Sequence, residues 1–332
     1  MVSIQQESIQ NNNIWIEKYR PDNFNDIIGQ EKNISLLVNL INNNRLPHLL
    51  FHGNSGVGKT STIDAIVDEI YGKNKKFMVM KLDASDDRGI NTVRDEIKGF
   101  AEKQNILNKG VKLIILDEAD SMTYDAQFAL RRIIEKYSDN TRFCLICNYE
   151  NKIIQPIKSR CVNIRFYPLK KIQIYKKLIS ICNKENVKYT QKGINTIAGI
   201  CNGDMRKAIN ILQSVVSNNT QVNSKKCYNI SGIIEEKTIN KLFLLLIDKT
   251  KSINIVYKYI QNNILDEGHC LSLLTELIKI MSINFNKLNE TFGNVKTCQI
   301  FAKLSDIEKN VANSTFNNIY IIGIICIFKE LI

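Results

Sequence analysis

The sequence is poor in the residues that break helices, with four prolines and fifteen glycines in 332 residues. That scarcity excludes collagen-like and proline-rich architectures and makes long helices the expected filler between motifs. Long apolar runs are missing too. The longest, Ile319 to Phe328, is about half the ~20 residues that a membrane-spanning helix needs, so a buried helix is expected there and no membrane association. The opening Met1-Val2-Ser3-Ile4-Gln5-Gln6-Glu7 has neither the basic stretch nor the apolar core of a signal peptide, and secretion is not expected. Nine cysteines in such a chain read as reduced thiols packed as small apolar side chains. Cys144 and Cys147 have C-x-x-C spacing, but zinc would need a second pair at matching spacing and none exists. Their run, Arg142-Phe143-Cys144-Leu145-Ile146-Cys147, reads as a buried strand. No internal repeat is present.

With 44% hydrophobic and 23% charged residues, the chain has material for real cores and is not disordered. Its length suggests two or three domains. Lys and Arg total 45 against 33 Asp and Glu, a net charge of +12, which favours a polyanionic partner with nucleic acid first in line. The excess concentrates between Lys152 and Lys188, where a solvated helix face is the alternative reading.

From 49 to 166 short β-rich apolar runs alternate with helical stretches, the pattern of a parallel sheet covered by helices. Strands are expected at 49–52, 77–82, 111–116, 143–147 and 162–166, with helices at 31–41, 60–70, 92–102 and 125–137. After Pro168 the β-signals fade, and 170–184, 191–201 and 204–216 read as three helices of a small domain. The Asn/Ser/Lys-rich stretch 217–226 reads as a linker, followed by apolar residues at helical spacing.

The sharpest local signal is Gly53-Asn54-Ser55-Gly56-Val57-Gly58-Lys59-Thr60, followed by Ser61, between an apolar strand and a helix. Glycines there let backbone N–H groups turn around phosphate oxygens, the helix N-terminus adds its dipole, Lys59 supplies charge and Thr60 can ligate Mg²⁺. A second element, Leu113-Ile114-Ile115-Leu116-Asp117-Glu118-Ala119-Asp120, is a buried strand ending in carboxylates. It delivers them to the sheet edge where ligands bind in open α/β folds. Asp117 is the expected Mg²⁺ holder and Glu118 the group that orients and deprotonates a water. Asp120 could instead cap the following helix.

These motifs resemble those of the AAA+ ATPases, and among them the small subunits of replication factor C clamp loaders, from Trp15 to Gln213. Trp15-Ile16-Glu17-Lys18-Tyr19-Arg20-Pro21 is similar to the family's N-terminal box, which implies an adenine pocket built from Tyr19, Arg20, Ile27 and Ile28. The block Asp83-Ala84-Ser85-Asp86-Asp87-Arg88-Gly89-Ile90 implies that Arg88 and Arg94 face the backbone of duplex DNA, with Thr123 a further candidate. The ordinary alternative is a capped helix with surface arginines. Gln127, Arg131 and Arg132 match the Q-x-A-L-R-R-x-x-E helix, taken to link the DNA-facing side, the nucleotide and the next subunit. Asn148 stands at the sensor-1 position and Arg206, in Gly203-Asp204-Met205-Arg206, at sensor 2. Ser159-Arg160-Cys161 matches the S-R-C signature, implying an arginine finger that acts in trans. Asn54, Ser55 and Val57 depart from the family's usual Pro, Pro and Thr.

The resemblance implies an α/β P-loop AAA+ core (1–168), an all-α lid (169–226) and an all-α C-terminal collar (227–332). The implied activity is that of an ATPase using ATP and Mg²⁺ within a hetero-pentamer of replication factor C subunits. The pentamer would load a PCNA-type sliding clamp onto primer-template DNA held through its phosphates. Clamp contact is expected at Ile97 and Phe100. The implied location is the nucleus, or a replication compartment for a chain encoded by a large DNA virus. A nucleotide-binding scaffold with dispensable turnover and a branch-migration motor are the alternatives.

Overall fold

The computed structural model describes residues 14–43, 45–85, 90–102, 110–217, 221–263, 270–311 and 317–331. Two compact units divide the chain, Met1–Ser217 and Asn218–Ile332.

The first unit is built on five strands, β1 (Leu49–His52), β2 (Val79–Asp83), β3 (Lys112–Asp117), β4 (Thr141–Cys147) and β5 (Val162–Arg165). They form one sheet in the order β2-β3-β4-β1-β5, with every neighbouring pair parallel. The register sets Leu49 opposite both Cys144 and Val162. A parallel sheet covered on both faces needs strands that are apolar on both sides, and β3 and β4 are buried almost end to end. Alternate residues go to opposite faces. Leu50, Ile114, Leu116, Phe143 and Leu145 pack with Ile97, Leu130 and Ile134 of helices Ile90–Glu102 and Tyr124–Tyr137. Leu49, Phe51, Leu113, Ile115 and Ile146 pack with Leu37 of helix Glu31–Asn42 and with Ile63 and Ile66 of helix Lys59–Tyr71. Cys144 and Cys147 belong to opposite faces of this core, and burial pushes both thiols well above their ordinary values, so they are packing groups.

Three expectations are corrected. Residue 77 does not open a strand: Lys75–Met78 is a helical turn that buries Met78 and leaves Phe77 71% exposed, and β2 starts at Val79. On the edge strand β2 burial is too weak for the apolar pattern to mark its start. The stretch 217–226 is not wholly a linker, because helix Ser224–Ser231 begins inside it with the Asn223 side chain accepting from the Lys226 N–H at 3.0 Å. Asparagine and serine there are capping chemistry. Ile97 is not a clamp contact: it is 2% exposed, and Phe100 packs partly against the same cluster.

Helices Lys171–Lys184, Gln191–Ile200 and Met205–Ser217 complete the first unit. The regular elements of the second unit, among its described residues, are helices, with one core that includes Leu242, Leu246, Leu273, Leu277, Ile300, Leu304, Ile324 and Phe328. The apolar run at Ile319 lies in its last helix, Asn317–Leu331, and no helix among the described residues is long and apolar enough to cross a membrane.

Candidate active site

The loop between β1 and helix Lys59–Tyr71 turns through positive φ at Gly53 (144°), Gly56 (65°) and Gly58 (100°). Gly58 stands at the N-cap without a side-chain cap, which leaves the first turn's N–H groups to an anion. Lys59 is 8% exposed and directs its ammonium to the carbonyls of Gly53 (2.6 Å) and Asn54 (2.8 Å) and to Asn148 Oδ1 (2.8 Å). Burial lowers its pKa, opposed by the fields of Cys147 and Asp117. Val57 is 2% exposed and packs in the core beside Ile63, so an apolar residue is suited to that place in the loop.

Asp117 ends β3 one strand beyond β4, which itself adjoins β1, and its Oδ2 accepts from Thr60 Oγ1 at 3.1 Å. A hydroxyl and a carboxylate brought together beside a phosphate loop are oxygen donors suited to Mg²⁺. Glu118 follows in the left-handed region at φ 52°, a conformation that costs a non-glycine residue on the order of 1 kcal/mol. Its N–H donates to Asp117 Oδ1 (3.0 Å), and the N–H of Ser121 donates to its carbonyl (2.9 Å), leaving the carboxylate exposed on the cavity wall. Asp120 does not cap the next helix. Its Oδ2 accepts from the N–H groups of Asn148 (3.3 Å) and Tyr149 (3.1 Å), while Thr123 caps the helix through Ala126 N–H.

The lid closes on the phosphate loop. The N–H of Met205 donates to the Gly56 carbonyl at 3.0 Å, and a Cβ on Gly56 would lie 1.7 Å from Asp204 Oδ1. Asp204 in turn caps its helix through Lys207 N–H (2.9 Å). Arg206 is exposed and lines the cavity. The N-terminal box ties the parts together: Tyr19 donates its hydroxyl to Glu185, Lys18 pairs with Glu185 at 2.6 Å, Trp15 N–H donates to Gln213 Oε1 at 3.0 Å, and Arg20 pairs with Asp64 at 2.7 Å.

All this surrounds a cavity of about 240 Å³. Tyr19, Arg20, Ile28, the loop from Ser55 to Ser61, Asp117, Glu118, Asn148 and Arg206 line it as expected, and Gly53 and Asn54 reach it through Lys59. Sequence reasoning missed Asp26, Leu169, Lys177, Met205 and Ile209: the last three lie on helices whose pattern does not mark a cavity face, and Asp26 and Leu169 lie in a short turn and a loop. Arg160 is elsewhere. It lies just before β5, at the strand end opposite the phosphate loop, paired with Glu135 at 2.5 Å and donating to the Pro156 carbonyl at 2.7 Å. Gln127 is 1% exposed and joins the carbonyls of Met122 and Lys152 to the N–H of Ile154. Arg131 holds Glu135 at 2.9 Å. Arg88 and the side chain of Arg94 lie outside the described residues.

Residues 49–169 match the "ATPase family associated with various cellular activities (AAA)", and residues 176–217 match the "RCF1/5-like, AAA+ ATPase lid domain". Probable replication factor C subunit 5 of Dictyostelium discoideum is 42% identical over 90% of this chain and 85% of that protein. Replication factor C subunit 3 of Blastobotrys adeninivorans is 36% identical over 98% of this chain and 95% of that protein. The chain belongs to the replication factor C subunit family. As a member it is an AAA+ ATPase. An archaeal relative, the replication factor C small subunit of Sulfolobus acidocaldarius, is 41% identical over 77% of this chain and 81% of that protein. The RuvB Holliday junction branch migration motor of Thermotoga maritima superposes with a TM-score of 0.51 over 73% of this chain and 85% of that one. At 17% identity the likeness is one of fold.

Proposed function

We propose that this chain is an ATP-switched small subunit of a hetero-pentameric clamp loader, which places a PCNA-type sliding clamp on primer-template DNA in the nucleus. Within it, 1–168 is the ATPase core, 169–217 the lid and 218–332 the collar, because the boundary at 226 suggested by the sequence would cut helix Ser224–Ser231. The carrying observation is the division of the charged groups. Lys59, Asn148 and Arg206 face one cavity, whereas Arg160 stands at the opposite end of the strands, away from that cavity, which supports a role toward another subunit.

In this reading Lys59 leaves the Gly53 and Asn54 carbonyls for phosphate oxygens, and Asn148 and Glu118 orient the attacking water, whose proton passes to the Glu118 carboxylate. Thr60 and Asp117 would hold Mg²⁺, which when bound neutralises phosphate charge. Arg206 senses the terminal phosphate, and the Met205–Gly56 hydrogen bond carries its state to the lid. Arg160 serves the adjacent subunit. Arg88, Arg94 and Thr123 contact DNA phosphates, so binding is salt-dependent and largely indifferent to sequence.

The test is the ATPase rate of the purified assembly with and without primed DNA and a PCNA-type clamp. Stimulation that requires both supports the reading. An intact multi-subunit assembly that responds to neither would overturn it.

A further inference from the structure

The nucleotide cavity is charged at two ends. At one, Lys59 feels the charges of Asp117, Asp120 and Arg206. At the other, Lys177 of helix Lys171–Lys184 lines the wall, and the charges that act on it are those of Asp26 and Lys184. Asp26, also on the cavity wall, closes the short turn Phe24–Asp26 that leads into Ile27 and Ile28. Lys184 sits over the ring of Tyr19, 5.9 Å from its centroid, which places this end of the lid helix by the aromatic part of the cavity.

Lys177 is half-buried, and burial lowers its pKa. It makes no ion pair or hydrogen bond to any described residue, Asp26 included. A half-buried ammonium without a protein partner keeps part of its water, and one that lines a ligand cavity is placed to exchange that water for an acceptor on the ligand.

The phosphates belong to the Lys59 end, so the part of a nucleotide that reaches Lys177 is its base. An ammonium only donates and an ionised carboxylate only accepts. Adenine presents ring-nitrogen acceptors beside a donating exocyclic amine, whereas guanine puts a carbonyl acceptor where that amine stands. We propose that Lys177 and Asp26 read the base, Lys177 donating to a ring nitrogen of adenine and Asp26 accepting from its exocyclic amine. The proposal rests on the cavity being the nucleotide site.

The test is equilibrium binding of ATP, ADP and GTP to the full chain and to its Lys177→Met and Lys177→Arg variants. Lys177→Met keeps most of the apolar stem and is expected to weaken ATP and ADP by the same factor, about tenfold, as for one charge-assisted hydrogen bond. GTP affinity should change by less than about twofold, so the preference for ATP falls about tenfold. Lys177→Arg, which retains a donor, should stay within about threefold of the parent chain. Three results overturn the proposal: unchanged ATP affinity in Lys177→Met, a loss for ATP but not ADP, which would put Lys177 at the terminal phosphate, or an equal loss for GTP, which would make it a general attractor of anions. If Lys177→Met fails to fold, Lys177→Gln is measured against the same three results. A parent chain that binds none of the nucleotides would remove the site reading itself, an outcome distinct from any effect of the variants.

Discussion

The Arg160 guanidinium rests against Glu135 Oε1 at 2.5 Å, and Arg131 holds that same oxygen at 2.9 Å. One carboxylate, itself fixed by a neighbour one helical turn away, thus keeps Arg160 on the side of the sheet away from the chain's own cavity. Arg160→Ala should therefore leave nucleotide affinity of the isolated chain unchanged. In the assembly it should lower turnover at the adjacent site by about a thousandfold, the low end of the range for arginine fingers. Calorimetry on the chain and ATPase rates on the assembly separate the two. A loss of affinity in the isolated chain would sink the trans assignment.

Lys59 and Asn148 touch, yet their substitutions should differ in kind. Lys59→Ala removes the buried cation proposed to meet the phosphates, and nucleotide affinity should fall by at least about tenfold. Asn148→Ala should cost less than that in affinity but lower turnover about a hundredfold, as loss of one oriented polar group at a reaction centre does. Binding titrations paired with single-turnover rates distinguish these outcomes, and equal effects on both quantities would contradict the assigned roles.

At Gly56 the φ of 65° and the 1.7 Å approach of Asp204 Oδ1 to a hypothetical Cβ act together. Gly56→Ala should cost about 1 kcal/mol in backbone strain and about 1 kcal/mol more as Asp204 gives up its cap. Urea unfolding followed by Trp15, the only tryptophan and 8% exposed, should report this loss of about 2 kcal/mol. Asp204→Ala already lacks the cap and the obstruction, so adding Gly56→Ala to it should cost only the strain. Strict additivity would show that the two residues do not collide.

His48 carries the clearest pH dependence. The Phe143 N–H donates to its Nδ1 at 3.2 Å, and burial, with the Arg142 charge second, lowers its pKa from 6.5 to about 4. As pH falls, the unfolded chain takes up this proton near 6.5 while the folded chain resists until about 4. The stability His48 contributes is thus full above about pH 6.5 and lost progressively down to about pH 4. Unfolding curves across that window should flatten in His48→Gln. The same slope in both proteins would assign it to other groups.

Much of the site was legible because its chemistry constrains the backbone. Only glycines serve the turns at Gly53, Gly56 and Gly58, and only an apolar strand with an acidic end sets Asp117 beside Thr60. Both leave local patterns. Lys177 left none, since a lysine in a lid helix reads the same whether it faces solvent or a cavity. Ile97 misled for the converse reason: periodicity marks the apolar side of a helix without saying that the sheet already covers it. Phe77 did so because its helical turn is selected by the burial of Met78, a tertiary event.

Asp120 has a mechanical consequence. A single oxygen grips the N–H groups of both Asn148 and Tyr149, so the tip of β4 is bolted to the short turn that follows Glu118. The amide on one strand and the carboxylate on another cannot drift apart independently, and a push on either is felt at once by its counterpart. One shared carboxylate thus sets the spacing between the ends of two neighbouring strands.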